Sequence, residues 1–224
     1  MSRRTADVAE WVDNLLELGK YLLWYARTYY GRATAEFLRV RLAGAEKIIT
    51  KSSIRVLSAV PRGCGVTMLI ASTKSIEEGA ERIVKVRALN GSVIKVSLGI
   101  PAEEAFHVTQ VGCYGMKCTC MDAVLTASKA DKLFLRGLKS CGIRRVDVPT
   151  PIFTKYVVCK HTLAAASYSL TLGAIPKDSQ LFREVLKLSV LASALRTQGL
   201  EAVKCRTLER AYLKILRLSK GIQL

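Results

Sequence analysis

VGCYGMKCTCMDAV, residues 111–124, and YVVCKHTLAAASYSL, residues 156–170, decide how this 224-residue chain is read. The first stretch holds a C-x-C pair, Cys118 and Cys120, with Cys113 five residues upstream of Cys118. The second holds C-x-H, Cys159 and His161. Alternate side chains on a tight turn converge, so one C-x-C can offer both thiolates to a single ion. Zinc takes four such soft or borderline donors in a tetrahedron, and a closed Cys/His set makes a structural site. After His161 the chain is apolar and Ala-rich, with Leu163, Ala166 and Leu170 on one face, which predicts a helix opening at the histidine. A helix N-terminus there lowers the pKa of Cys159 and favours its thiolate. Residue spacing alone leaves open whether Cys113 or Cys141 replaces one of the four donors.

The order C-x-C, spacer, C-x-H, with strands before it and an Ala-containing helix at the histidine, resembles the SWIM zinc-finger domain, in an archaeal-type form. The resemblance spans about residues 82–172 and takes in KVRALNGSVIKVSLG, residues 85–99, which is similar to the family's β-hairpin lead-in. It implies one structural zinc on Cys118, Cys120, Cys159 and His161, and a DNA-binding or protein-binding role rather than catalysis. The chain departs from the family in its spacer. Residues 121–158, 38 in all, separate Cys120 from Cys159, which is longer than usual. That insert predicts a helix of its own, Ala123 to Leu138, and carries Cys141 and the pair Arg144-Arg145. Length does not prevent ligation, because loop-closure cost grows only logarithmically.

Working outward, three zones differ in pattern. Residues 1–52 read as two helices, with Val8, Trp11, Val12, Leu15, Leu22, Ala26 and Tyr29 at helical spacing and Gly31 at the break. The aromatic cluster Trp11, Tyr21, Trp24, Tyr25, Tyr29 and Tyr30 lies close to that apolar stripe, so core packing is expected over base stacking. Residues 53–172 shift to a period of two. IRVLSAV and VTMLIAS flank the turn Pro61-Arg62-Gly63, RIVKVRAL and SVIKVSLG flank Asn90-Gly91, and AFHVTQVG leads into the cysteines. Asn-Gly between alternating runs is a strong hairpin signal. Residues 173–224 predict helices around Ser179–Arg196 and Leu200–Lys220, the second with Leu208, Ala211, Tyr212, Ile215 and Leu218 on one side. The expected class is α+β: an N-terminal helical pair, a central antiparallel β-sheet leading into a SWIM-like zinc module, and C-terminal basic helices.

Charge narrows the function. Thirty-five Lys and Arg oppose 18 Asp and Glu, a formal +17, well beyond the ~2–8 that solubility asks for. Residues 117–160 carry 9 basic and 3 acidic side chains and residues 161–224 carry 10 and 4, whereas residues 61–116 carry 6 and 5. A surplus concentrated in this way points to a local polyanion contact. The candidates on the metal segment are Lys117, Lys129, Lys132, Arg136, Lys139, Arg144, Arg145, Lys155 and Lys160. On the last helix they are Arg206, Arg210, Lys214, Arg217 and Lys220. On the Asn90-Gly91 hairpin, Arg82, Lys85, Arg87 and Lys95 add positive charge.

These features predict a nucleic-acid-binding protein that contacts the phosphate backbone, with DNA slightly favoured over RNA and association with ribosomal RNA as an alternative. The second class is a protein–protein adaptor, for example a partner of a recombinase-like ATPase. No enzyme is expected. A catalytic zinc keeps an open position that four protein ligands would close. Gly63-Cys64-Gly65 lacks the lysine of a P-loop, and His107 is assigned no role. The start of the chain has charges where a secretory signal is apolar, and Tyr21–Tyr30 spans about half of the ~20 residues a membrane helix needs. A soluble cytoplasmic protein is expected. The only amides are Asn14, Asn90, Gln110, Gln180, Gln198 and Gln223, a scarcity that fits a hyperthermophile. Such organisms keep internal disulfides, so Cys64, Cys141 and Cys205 are candidates for cross-linking.

Overall fold

The computed structural model describes residues 7–51, 54–58, 69–72, 82–89, 92–98, 106–148 and 150–221. The Pro61-Arg62-Gly63 and Asn90-Gly91 turns, the Gly63-Cys64-Gly65 stretch and Cys64 lie outside them. The chain is mostly helical, with antiparallel strands between its first two helices and the rest. Among the described residues no helix is long and apolar enough to cross a membrane.

Helices α1 (Val8–Tyr30) and α2 (Arg32–Thr50) form the expected pair. Asp7 caps α1 by accepting from the Ala9 amide at 2.9 Å. Gly31, at φ 84°, ends α1 and starts α2 in a conformation that disfavours any side chain. Leu15, Leu22, Leu38 and Ile49 from the two helices are almost wholly buried.

What they bury against is α4 (Lys160–Thr171), the Ala-rich helix after the second cysteine stretch. Ala164, Ala165 and Ala166 are all fully buried, and their small side chains let three helices approach closely. Polar groups fix the register. The Trp11 indole donates to the Ala164 carbonyl at 2.9 Å, and the Asn14 amide donates to Thr171 Oγ1 at 3.0 Å. Helix α5 (Gln180–Gln198) is the other central element, capped by Ser179 and buried over most of its surface. Its buried Ser189 and Ser193 hydroxyls donate back to the carbonyls one turn earlier, at 2.9 Å each, so burying them leaves no orphaned donor.

The strands form two units. A four-stranded antiparallel sheet has the order β1 (Ile54–Ser58), β2 (Leu69–Ser72), β5 (Val108–Gly112), β6 (Gly115–Cys118). The hairpin of β3 (Arg82–Arg87) and β4 (Val93–Leu98), which the Asn-Gly signal predicts, forms a separate two-stranded sheet among the described residues, Arg87 opposite Val93. The sheet edge that enters the cysteine cluster is therefore the short β5–β6 hairpin, not β3–β4. Sequence reasoning does not find β6, because four residues directly after the Cys113-Tyr114 turn are too few to show a period.

The 38-residue spacer is packed. Helix α3 (Met121–Ser140) fills most of it and lies against α5. Its Asp131 carboxylate accepts from the Ile152 and Phe153 amides at 2.9 and 2.8 Å, anchoring a short 3-10 turn, Phe153–Lys155. Phe153 then meets Phe134 edge-on at 5.2 Å. Past that turn Tyr156 pairs in parallel with Met116 of β6. The excursion thus returns the chain beside the strand it left. Helix α6 (Cys205–Gly221) closes the fold with Leu208, Ala211, Ile215 and Leu218 buried and Tyr212 half-buried, the side expected from its periodicity.

Candidate metal centre

Cys118, Cys120, Cys159 and His161 converge. Cys118 ends β6, Cys120 is the residue before α3, Cys159 is the residue before α4, and His161 lies in the first turn of α4. All four are buried, and their ligand atoms lie within 4.8 Å of one another. The bridge between Met116 and Tyr156 produces this, since it sets the two cysteine stretches side by side across the spacer. Four zinc donors at ~2.0–2.3 Å from an ion need edges of roughly 3.5–4 Å. Cys118 Sγ and His161 Nδ1 stand 3.8 Å apart, so the set needs only slight contraction to enclose one ion.

The electrostatics favour a cation held by thiolates. Two helix N-termini, those of α3 and α4, point their partial positive charge at Cys120 and Cys159. Backbone and side-chain donors aim at the sulfurs. The Thr162 amide donates to Cys159 Sγ at 3.4 Å, the Cys120 amide to Cys118 Sγ at 3.4 Å, and the Thr109 hydroxyl to Cys118 Sγ at 3.3 Å. Such second-layer donors orient ligands and tune a metal. Without a cation the three thiols compete for one negative charge. Hydrogen bonds from Cys118 and then Cys159 hold the Cys120 thiol well below its usual range. The same bond to Cys120 pushes Cys118 up to about 12, and burial pushes Cys159 up. Full ionisation of three buried sulfurs needs a compensating positive charge, which a divalent ion supplies.

The other described cysteines are engaged elsewhere. Cys141 is bonded to Cys205, joining the end of α3 to the start of α6, and Cys113 is also disulfide-bonded. Neither replaces a ligand. The structure places His107, assigned no role from sequence, beside the site, its ring centred 4.9 Å from that of His161. Burial and then the charge of His161 push its pKa down. A single histidine on a predicted strand offers no signal of this neighbour.

Asp122 sits directly behind Cys120 and forms a clamp that the sequence does not reveal. Its Oδ1 accepts from Arg41 of α2 at 2.5 Å and from Arg196 of α5 at 2.9 Å. Arg196 also donates to the Asp122 carbonyl at 2.7 Å, and the Arg41 guanidinium lies 3.2 Å above the Phe37 ring. Removing the acid leaves two partly covered cations facing each other. Loss of one partner of a buried pair costs ~3–5 kcal/mol, and partial exposure here lowers that to roughly 1–3. Asp122→Ala is expected to lower the unfolding free energy measured in urea by that amount, with Asp122→Asn lowering it less.

The predicted basic candidates fall into separate places. Lys139, Arg144 and Arg145 lie exposed at the end of α3 and in the loop beyond it. The disulfide and a 3.0 Å bond from the Asp147 amide to the Tyr212 hydroxyl pin that loop against α6, which carries exposed Arg206, Arg210 and Arg217. The Lys220 side chain lies outside the described ones. Lys132 and Arg136 are exposed along α3. Others are engaged internally. Lys117 donates to the Arg87 carbonyl at 2.7 Å, Lys129 to the Arg196 carbonyl at 2.8 Å, and Lys214 pairs with Glu184. Burial pushes the Lys117 and Lys155 amines down. Lys160 is exposed next to the cysteine–histidine cluster. No protein-family model, curated protein or solved structure matches the chain.

Proposed function

We propose that this chain is a zinc-stabilised, basic nucleic-acid-binding protein of the cytoplasm that grips the phosphate backbone, DNA slightly before RNA. The observation that carries the reading is the joining of two segments rich in exposed basic side chains, the loop after α3 and helix α6, by the Cys141–Cys205 bond and the contact of the Asp147 amide with Tyr212. There Lys139, Arg144, Arg145, Arg206, Arg210 and Arg217 are exposed, and Asp147 pairs among the described residues with Arg145, both side chains largely in water. That pair is worth little and competes weakly with phosphate. Zinc is favoured as the ion because three thiolates and an imidazole in a closed, buried set suit it best. The C-x-C and C-x-H order supports a SWIM-like module, with α3 as an ordered insert between its halves.

Binding through backbone phosphates releases counterions, so the affinity for mixed-sequence DNA should fall steeply and log-linearly with salt. Arg144→Glu with Arg145→Glu is expected to lower affinity uniformly across sequences and to reduce the salt slope by about 2. Fluorescence anisotropy across a salt series measures both, and an unaltered slope rules out this surface.

One observation favours a second reading, the adaptor. Val40, Met121, Val124 and Leu125 expose 64, 67, 50 and 51 % of their surface on α2 and the first turns of α3. Complexes formed through such residues persist at high salt, where phosphate contacts dissociate.

A further inference from the structure

Helix α1 turns part of its aromatic cluster away from the core. Trp11 and Tyr30 are buried as expected, but Trp24 and Tyr29 expose 57 and 58 % of their surface. Tyr21 and Tyr25 lie half-buried beside them. The rings steady one another, Tyr25 and Tyr29 with centroids 4.5 Å apart and Trp24 perpendicular to Tyr29 at 6.4 Å. Facing them are the outer sides of α5 and α6, with Arg183, Lys187, Arg210 and Lys214, and Lys204 just before α6. Between the two walls runs a groove of about 690 Å³, with no acidic side chain lining it. Glu184 pairs with Lys187 and Lys214. Arg183, Lys204 and Arg210 make no ion pair among the described residues.

We propose that this groove binds single-stranded nucleic acid, with bases stacking on Trp24 and Tyr29 and phosphates meeting Arg183, Lys204 and Arg210. The inference rests on the nucleic-acid reading above and adds a site and a strandedness. Aromatic side chains opposite a basic wall are the two parts of a single-strand site, because every base has a π face and every nucleotide a phosphate. A duplex hides its base faces in the stack, so it could use the cations but not the rings. The volume lies within the ~300–1,000 Å³ that holds one small ligand, which admits a few bases at most and no paired helix. Lys204 and Arg210, six residues apart, are separated by ~9 Å along the helix axis. That is too far for one phosphate and suits neighbouring ones on a strand.

The test uses the full chain at low salt with labelled oligothymidylate, oligouridylate and a mixed-sequence duplex, read by anisotropy and by quenching of tryptophan emission. Single strands are expected to bind more tightly than duplex and to quench. Trp24→Ala with Tyr29→Ala is expected to weaken single-strand binding by roughly 5- to 150-fold per base unstacked. Duplex binding should stay unchanged and the melting temperature should fall only slightly, since both rings are more than half exposed, and Trp24→Phe should keep most of the affinity. Unaltered single-strand binding in the double variant, while Arg144→Glu with Arg145→Glu weakens it, overturns the groove and leaves the nucleic-acid reading standing. A wild-type protein that binds neither form overturns both. Equal competition by free mononucleotide, counted per nucleotide, or a preference for duplex, also overturns the single-strand site.

Discussion

Replacing Cys159 by serine is expected to remove stoichiometric zinc and to lower the stability of the protein to that of the chelated wild type. Serine is nearly isosteric and is itself a good helix N-cap. The contact that Cys159 makes with the Thr162 amide is therefore kept, and α4 still starts where it does. What is lost is one of four converging donors. A ligand that binds only the folded state adds RT ln(1 + [L]/Kd), ~4 kcal/mol when metal is a thousandfold above its Kd. Most of the core lies outside the four candidate donors, so Cys159→Ser should fold and melt early rather than fail to fold. Elemental analysis should find about one zinc per wild-type chain and almost none in the variant. A strong chelator should lower the wild-type melting temperature and leave that of the variant in place. A variant that retains its zinc would remove Cys159 from the ligand set.

The second large effect is expected from the Cys141–Cys205 bond. It closes a loop of 64 residues in sequence, for which chain entropy alone predicts ~4 kcal/mol of stabilisation, within the 2–5 usual for native bridges. Cys141→Ser with Cys205→Ser should therefore lower the melting temperature by roughly 8–16 °C for a chain of this size. Cys205 is exposed and Cys141 half-buried, so mild reductant should reproduce the variant in the wild type. It should leave the three free cysteines with their metal. Because the same bond holds the Arg144-Arg145 loop against α6, nucleic-acid affinity and its salt slope should fall together with stability. Mass spectrometry of alkylated protein reads the bond directly. Equal stability of variant and wild type would show that other contacts already restrain the two ends.

How much of this was legible in sequence depends on the range of the interaction. The helices were readable because their cause is local. The apolar period, the break at Gly31 and the Ala-rich run after His161 all act within a few residues. The hairpin β3–β4 was readable for the same reason. Strand β6 was not, because its four residues are held by β5 and by Tyr156, 40 positions after Met116. The aromatic face of α1 was half legible. Periodicity places Trp11 inside, but Trp24 and Tyr29 escape burial because α5 and α6 leave a groove in front of them. Arg183 and Lys204 lay outside the expected basic surface, since nothing in their own segments says that they face tyrosines.

By itself the sequence determined the chemistry: that cysteines in C-x-C and C-x-H order with a histidine can hold a soft cation, how basic the chain is, and which segments are helical. These follow from residue type and short-range spacing, which folding does not alter. Only the tertiary structure decided which cysteines remain free. Pairing of Cys141 with Cys205, and of Cys113 in its own disulfide, depends on distances set by helix packing. It also decided that Asp122 would clamp two arginines from other helices behind the cysteine–histidine cluster. Which charges face solvent together was settled there too, because a surface is assembled from segments that are remote along the chain.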